Sequence, residues 1–449
     1  DVYKRQLLLA IPMILQNAIT NLVSFLDNIM VGQLGTEQMS GVAIVNQLIF
    51  VYNLAIFGAV SAASIFGAQY FGKGNHKGHM YSFRFKLYAT LLVTGGAILL
   101  FLTKGSALIS LYLTDTVGNG ATDLALQYGL EYLAIMMVGL IPFAVNQSYA
   151  TNIKETGQTF IPMLASFVAV GTNAILDYLM IFGIGPFPEL GVQGAALATV
   201  IARYIEALIV VIWAHIHRGK NRYLEGAYTG FGIPLAELKA ILIKGFPLMM
   251  NEVLWAAGMT TVTQCYSVRG LNVVAGLNIA STITNLFNIV YLQLGSCISI
   301  VVGQYLGAGK LEDAKDADNK MIVFSVFCCV IMAALMFVVG GFFPGIYNTT
   351  EEIRELATSF IAVSAIIMPF CAFSHASYFT LRSGGKTVVT FLFDSVFTWV
   401  IVVPAAYLLA HFTGLGIVSI YFLVQGTELI KVIIGYLMVK SNVWVVQMV

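Results

Sequence analysis

Two acidic side chains, Asp27 and Asp177, stand in stretches of this 449-residue chain that carry almost no other charge. Asp177 lies in NAILDYLMIFG (173–183), and the preceding FIPMLASFVAVGT has no charged residue at all. Asn173 comes four residues earlier, so on a helix the amide and the carboxylate share one face. Asp27 occurs in VSFLDNIMVGQLG and Thr199 in GAALATVIAR. Two carboxylates, an amide and a hydroxyl are hard donors, suited to a proton or to a small cation such as Na+. The same groups could instead act as interhelical hydrogen bonds that hold a lobe together. A charge near a bilayer centre costs at least about 2.5–3.5 kcal/mol, which favours function over adhesion for the two acids.

Other polar groups fall in apolar surroundings. Glu252 follows Pro247 in GFPLMMNEVLW, and His375 and Asp394 lie in late apolar runs. Arg203 with Glu206, and Glu428 with Lys431, are three residues apart, a spacing at which each pair is expected to neutralise itself locally. Gln47, Tyr52, Asn53, Met259, Asn285, Asn288 and Tyr291 are candidate liners of a substrate cavity, since permissive pockets favour aromatic and Met surfaces. Each could equally be a helix–helix contact.

The elements that must position these groups are membrane helices. Hydrophobic residues make up 58% of the chain and charged residues 10%, against about 25% charged in a soluble domain. Mean hydropathy is +0.84. Twelve candidate spans run from residues 7–31 to 416–438, each long enough to cross at roughly 20 residues. The short alternating segments of a membrane β-barrel do not occur. With the N-terminus inside, eighteen of the 23 Lys and Arg fall on cytoplasmic segments. Lys104, Arg269 and Arg354 fall outside, and Arg203 and Lys431 fall within spans. Both termini are therefore expected in the cytoplasm. The chain starts at Asp1 rather than Met and shows no signal-peptide cleavage pattern, so insertion is expected to rely on the first spans.

An internal repeat organises the spans. At a shift of 235 residues, Pro12 meets Pro247, Asn17 meets Glu252, and Gln69-Tyr70-Phe-Gly72-Lys-Gly74 meets Gln304-Tyr305-Leu-Gly307-Ala-Gly309. At 227, Pro142-Phe143 and Gly157 meet Pro369-Phe370 and Gly384. The reading is an all-α membrane protein of two pseudo-symmetric six-helix lobes, residues 1–215 and 238–449, joined by a cytoplasmic linker at 216–237. Because six is even, the repeats are parallel, an arrangement typical of transporters with a central site.

Several chemistries find no support. No GxxxxGK[ST] loop for ATP occurs. A net charge of +1 gives no field for nucleic acid. The five cysteines lack metal-ligand spacing, and no clustered motif marks an enzyme.

The segments AIPMILQN, FLDNIMVGQLG, SIFGAQYFGKGN, NAILDYLMIFG, PELGVQGAALAT, GFPLMMNEVL and GQYLGAGKLEDA, in this order, resemble the multidrug and toxic compound extrusion (MATE) transporters over nearly the whole chain. The resemblance implies two bundles around a central cavity with alternating access. It implies export of amphipathic, often cationic drugs or metabolites from the plasma membrane in exchange for H+ or Na+, with no other cofactor. The lipid bilayer and a small-molecule substrate are then the partners, and the chain acts as a monomer. The family's amino-lobe cation site maps onto Asp27, Asn173, Asp177 and Thr199, and its bending proline onto Pro12. The seventh-helix acid of one branch maps onto Glu252. That branch's tenth-helix acid is missing, the aligned segment ending in His375, which puts a carboxy-lobe cation site in doubt and leaves Glu252 and His375 as individual candidates for carboxy-lobe coupling. The amino-lobe-coupled, DinF-like branch is favoured. The nearest rival, a flippase for lipid-linked glycans, calls for a more cationic cavity than Arg203 and Lys431 provide.

Overall fold

The computed structural model describes residues 1–113 and 119–449. Twelve helices are long and apolar enough to cross a membrane. They are α1 Val2–Gly32, α2 Thr36–Lys73, α3 His76–Ser110, α4 Asn119–Glu155, α5 Phe160–Phe182 and α6 Val192–Ile216. The second set is α7 Leu235–Ser267, α8 Leu271–Gly307, α9 Leu311–Phe342 and α10 Glu351–Ser383, then α11 Thr387–Phe412 and α12 Ile417–Lys440. Among the described residues there is no strand. Helices are what the hydrophobic runs dictate, because a helix satisfies its own backbone groups where water is absent. Leu92, Leu99 and Leu102 stay exposed on α3. In a bilayer such a face meets lipid at no cost.

The chain forms two compact units. One comprises Leu15–Gly67 and His76–Leu238, and is called the amino unit below. The other comprises Asp1–Ile14, Ala68–Asn75 and Lys239–Val449, the carboxy unit. The apolar core of the amino unit gathers Val45, Ile56, Leu133, Leu140, Ile181 and Ala196. That of the carboxy unit gathers Cys297, Ile298, Leu306, Met321, Phe360 and Leu381. Three of the five cysteines are buried and all are unbonded, in keeping with packing roles.

Residues 217–232 fold onto the amino unit. The Arg84 guanidinium donates to the carbonyls of Gly226, Ala227 and Gly232 at 2.8–2.9 Å. Tyr223 is buried between Phe83 and His79.

The repeat is visible in how helices end. After α2, Gly74 takes the left-handed conformation at φ 77°, and after α8 Gly309 does so at φ 74°. Each turn closes with the same bonds: Asn75 N–H to Tyr70 O at 3.0 Å, and Lys310 N–H to Tyr305 O at 3.1 Å. A Cβ on Gly72 would collide with the Gln304 carbonyl, and one on Gly307 with the Gln69 carbonyl. The two QYxGxG segments thus pack reciprocally, backbone on backbone. The second anchor needs a correction of one residue. The left-handed partner of Gly157 (φ 86°) is Gly385 (φ 74°), while Gly384 is at φ −88°. Lys154–Gly157 and Arg382–Gly385 carry matching turn bonds, both 2.9 Å. Identity of residue type had aligned the wrong glycine of a pair.

Candidate cation site

The hairpin of α5 and α6 sets the amino-unit site. Gly183 ends α5 in the left-handed conformation, and Leu190 N–H returns to Met180 O at 2.8 Å. Gly194 then lies against the Met180 carbonyl, leaving no room for a side chain. The buried Ala195, Ala196, Ala198 and Ala202 let α6 run close to its neighbours. This close approach brings Thr199 to Asn173.

Asn173 and Asp177 are both buried, 6% and 1% exposed, and Asp27 of α1 is half-buried beside them. With its nitrogen toward Asp27, the Asn173 amide donates to Asp27 Oδ2 and Oδ1 at 3.1 and 3.2 Å. Its oxygen then accepts from the Thr199 hydroxyl at 3.3 Å. The Thr199 hydroxyl has one proton and also lies 3.1 Å from Ala195 O, so it serves one acceptor at a time. The Asp177 carboxyl group faces that of Asp27. Asp177 Oδ1 is buried with no hydrogen-bond partner. All four residues expected from the sequence meet here. An orphaned carboxylate oxygen beside a second carboxyl fits a proton or a monovalent cation. For a cation ligand, the Asn173 amide would have to present its oxygen. No cluster of three or more His, Cys, Asp or Glu suited to a metal occurs among the described residues.

Toward the end of α6 comes a second polar layer. Arg203 and Glu206, three residues apart, form no direct ion pair. Glu206 Oε1 accepts from Ser166 Oγ at 2.6 Å, and Ser166 Oγ accepts from Gln16 Nε2 at 2.7 Å. Arg203 instead lies over the Phe143 ring at 5.1 Å, with a buried Nη1 that has no partner. Bonds from a different helix outcompeted the local pair.

A charged cluster that sequence reasoning missed joins α3 to α4. His79 Nε2 is 2.9 Å from Glu155 Oε2, and Lys86 Nζ bonds Asn152 Oδ1 at 2.7 Å and also Glu155. All four are buried. Lys86 and Glu155 are polar residues at span ends, where solvation is the ordinary expectation.

In the carboxy unit Lys431 pairs not with Glu428 but with Asp394 of α11, at 2.8 Å. Asn251 Nδ2 donates to the other Asp394 oxygen at 3.0 Å. Residues 392–396 and 398–402 of α11 are π-helical, which turns Asp394 away from its α-helical bearing. Glu428 Oε1 is buried without a partner. The His375 ring packs at a tilt against Tyr291, centroids 4.6 Å apart, and lies 2.9 Å from the Cys371 carbonyl through Nδ1. Half-buried Glu252 and His375 are not hydrogen-bonded to each other. Also missed was Asp318 of α9, fully buried and accepting from Thr380 Oγ1 at 2.5 Å.

The candidate cavity residues are spread over both units. In the amino unit Gln47 is exposed and Asn53 half-buried, its Oδ1 without a partner. In the carboxy unit Asn285 is exposed, Met259 and Asn288 are half-buried, and Tyr291 is part of the core. Pro12 lies inside α1, in the portion that belongs to the carboxy unit.

Comparison with known proteins gives a consistent result. The MatE family profile matches residues 12–179 and 247–408, more than half of the chain. A protein of Thermotoga maritima named probable multidrug resistance protein NorM is 23% identical over 421 residues, covering 93% of this chain and 88% of its own length. One of the same name from Halalkalibacterium halodurans is 24% identical over 396 residues, covering 88% and 84%. A solved structure described as the outward-facing conformation of a multidrug resistance MATE family transporter of the MOP superfamily superposes with a TM-score of 0.88. It is 20% identical and covers 98% of this chain and 96% of that one. At that identity the likeness shows the fold.

Proposed function

Since the chain belongs to the MatE family, we propose that it is a secondary active antiporter exporting amphipathic drugs or metabolites, many of them cationic, in exchange for H+ or Na+. It is a multi-pass membrane transporter and not an enzyme. One observation carries the coupling: Asp177, 1% exposed and holding an unpartnered oxygen, faces Asp27, and among the described residues no basic group is bonded to either. A buried acid beside a half-buried one, without a fixed countercharge, calls for a mobile one. Loading that pair from one side and unloading it to the other biases two conformations, and linkage makes ion and drug compete through them. One proton moving down 100 mV contributes about 2.3 kcal/mol, enough for roughly a fifty-fold gradient of a neutral substrate.

The lysine and arginine asymmetry supports both termini in the cytoplasm and a plasma-membrane location. The chain acts as a monomer with the bilayer around it. The missing tenth-helix acid, and the ion pair that already neutralises Asp394, favour an amino-lobe-coupled, DinF-like mode. Glu252 is the remaining carboxy-lobe candidate.

Inside-out vesicles carrying the protein test this reading. Ethidium uptake is followed under an imposed pH gradient and, separately, under a Na+ gradient. Uptake driven by one of the two supports antiport and names the ion. Equal uptake with both gradients collapsed would contradict it.

A further inference from the structure

Arg203 is a charged residue within a membrane span to which the coupling scheme gives no role. Its guanidinium has five N–H donors, yet it makes no hydrogen bond or ion pair with any described residue, and Nη1 is buried. The carboxylate three residues on, Glu206, is engaged by Ser166. The neighbouring phenols are committed as well. Tyr52 bonds Thr94 at 2.7 Å and Leu140 O at 3.0 Å, and Tyr132 bonds Asn46 at 3.3 Å. Nearly every buried polar group in a folded protein finds a partner, so an unused guanidinium calls for one from outside the chain.

Its placement says what that partner is. Arg203 lies four residues after Thr199, on the same face of α6 and about 6 Å further along the axis. The residue as a whole is half-buried, and its Nη1 is buried without a partner. Phe143 supports one face of the guanidinium at 5.1 Å, and Tyr52 packs on Phe143 at 6.0 Å. A planar fork held on an aromatic ring, with its donors unspent, matches the two oxygens of a carboxylate. We propose that Arg203 is an oxyanion receptor within the amino unit, binding the carboxylate of an amphipathic substrate whose aromatic body lies beside Phe143 and Tyr52. This deepens the exporter reading and rests on it. The preferred substrates then carry a carboxylate in addition to any cationic group, and the Asp27–Asp177 pair is left to the coupling ion.

The test uses the purified full-length protein and two dyes, a rhodamine carboxylic acid and its ethyl ester. Both keep the cationic xanthene and differ in one carboxylate. Fluorescence anisotropy should show the acid binding at least tenfold more tightly than the ester to the wild type. Arg203→Gln should bring that ratio to about one. Arg203→Lys should keep part of it, because the charge remains while the fork is lost. Equal affinities in the wild type, no binding of the acid, or an unchanged ratio in Arg203→Gln would each overturn the assignment. If Arg203→Gln does not fold, the wild-type ratio and Arg203→Lys decide. Gradient-driven movement of the dyes is scored separately. A tenfold preference without movement defeats the exporter reading alone, and movement without preference defeats the receptor alone.

Discussion

Each unit places a carboxylate within a membrane helix, and the two treat it differently. In the carboxy unit Asp394 is held by Lys431 at 2.8 Å and by Asn251 at 3.0 Å, with the ammonium 5.3 Å from the Phe393 ring. In the amino unit Asp177 faces Asp27, which accepts from the Asn173 amide, and among the described residues neither acid forms an ion pair. A tethered cation makes a carboxylate permanent and inert. A missing cation makes it a binding site. The pseudo-symmetric scaffold is shared, as the matched turns at Gly74 and Gly309 show, so the functional asymmetry resides in a few side chains.

The sharpest way to break this comparison is to neutralise each acid in turn. Asp177→Asn should lower gradient-driven ethidium transport in proteoliposomes by about 100-fold or more while leaving the protein inserted. The double variant Asp394→Asn/Lys431→Met, which removes a neutral pair, should keep transport within about threefold of the wild type. Lys431→Met alone strands Asp394 and should cost about 3–5 kcal/mol of stability, read as a lowered thermal denaturation midpoint. Adding Asp394→Asn should recover most of that loss. Gly307→Ala and Gly72→Ala probe what the repeats share. Each pushes a methyl into a facing backbone carbonyl and should cost about 1–3 kcal/mol by the same assay, with similar values for the two. Thr199→Ala should have the smallest effect, a few-fold weaker ion dependence of transport, because its hydroxyl also bonds its own helix at 3.1 Å.

Much of the fold was legible in the sequence because bilayer crossing imposes long apolar helices, and because reciprocal glycines leave repeated motifs. The acid pair was legible for a related reason: a carboxylate in NAILDYLMIFG stands out against its surroundings. The charge partners were not. The three-residue spacings of Arg203–Glu206 and Glu428–Lys431 describe neighbours on an isolated helix. In the folded chain Ser166 takes Glu206, and Asp394, 37 residues before Lys431, takes the lysine. Such pairings depend on how helices rotate against one another, and the π-helical stretch around Asp394 shifts that rotation without a sequence signal. The Lys86–Glu155–His79 cluster escaped for another reason. His79 and Glu155 sit at helix ends, where charge is ordinary, and only packing reveals that they are buried with Lys86.

The most direct test of the central claim counts ions. Purified protein in weakly buffered detergent solution is saturated with ethidium, and released H+ or Na+ is measured per transporter. The account expects about one ion released from the wild type and from Asp394→Asn/Lys431→Met, and none from Asp177→Asn that still binds the dye. Equal release from Asp177→Asn and wild type would contradict it, as would loss of release in the Asp394/Lys431 double variant.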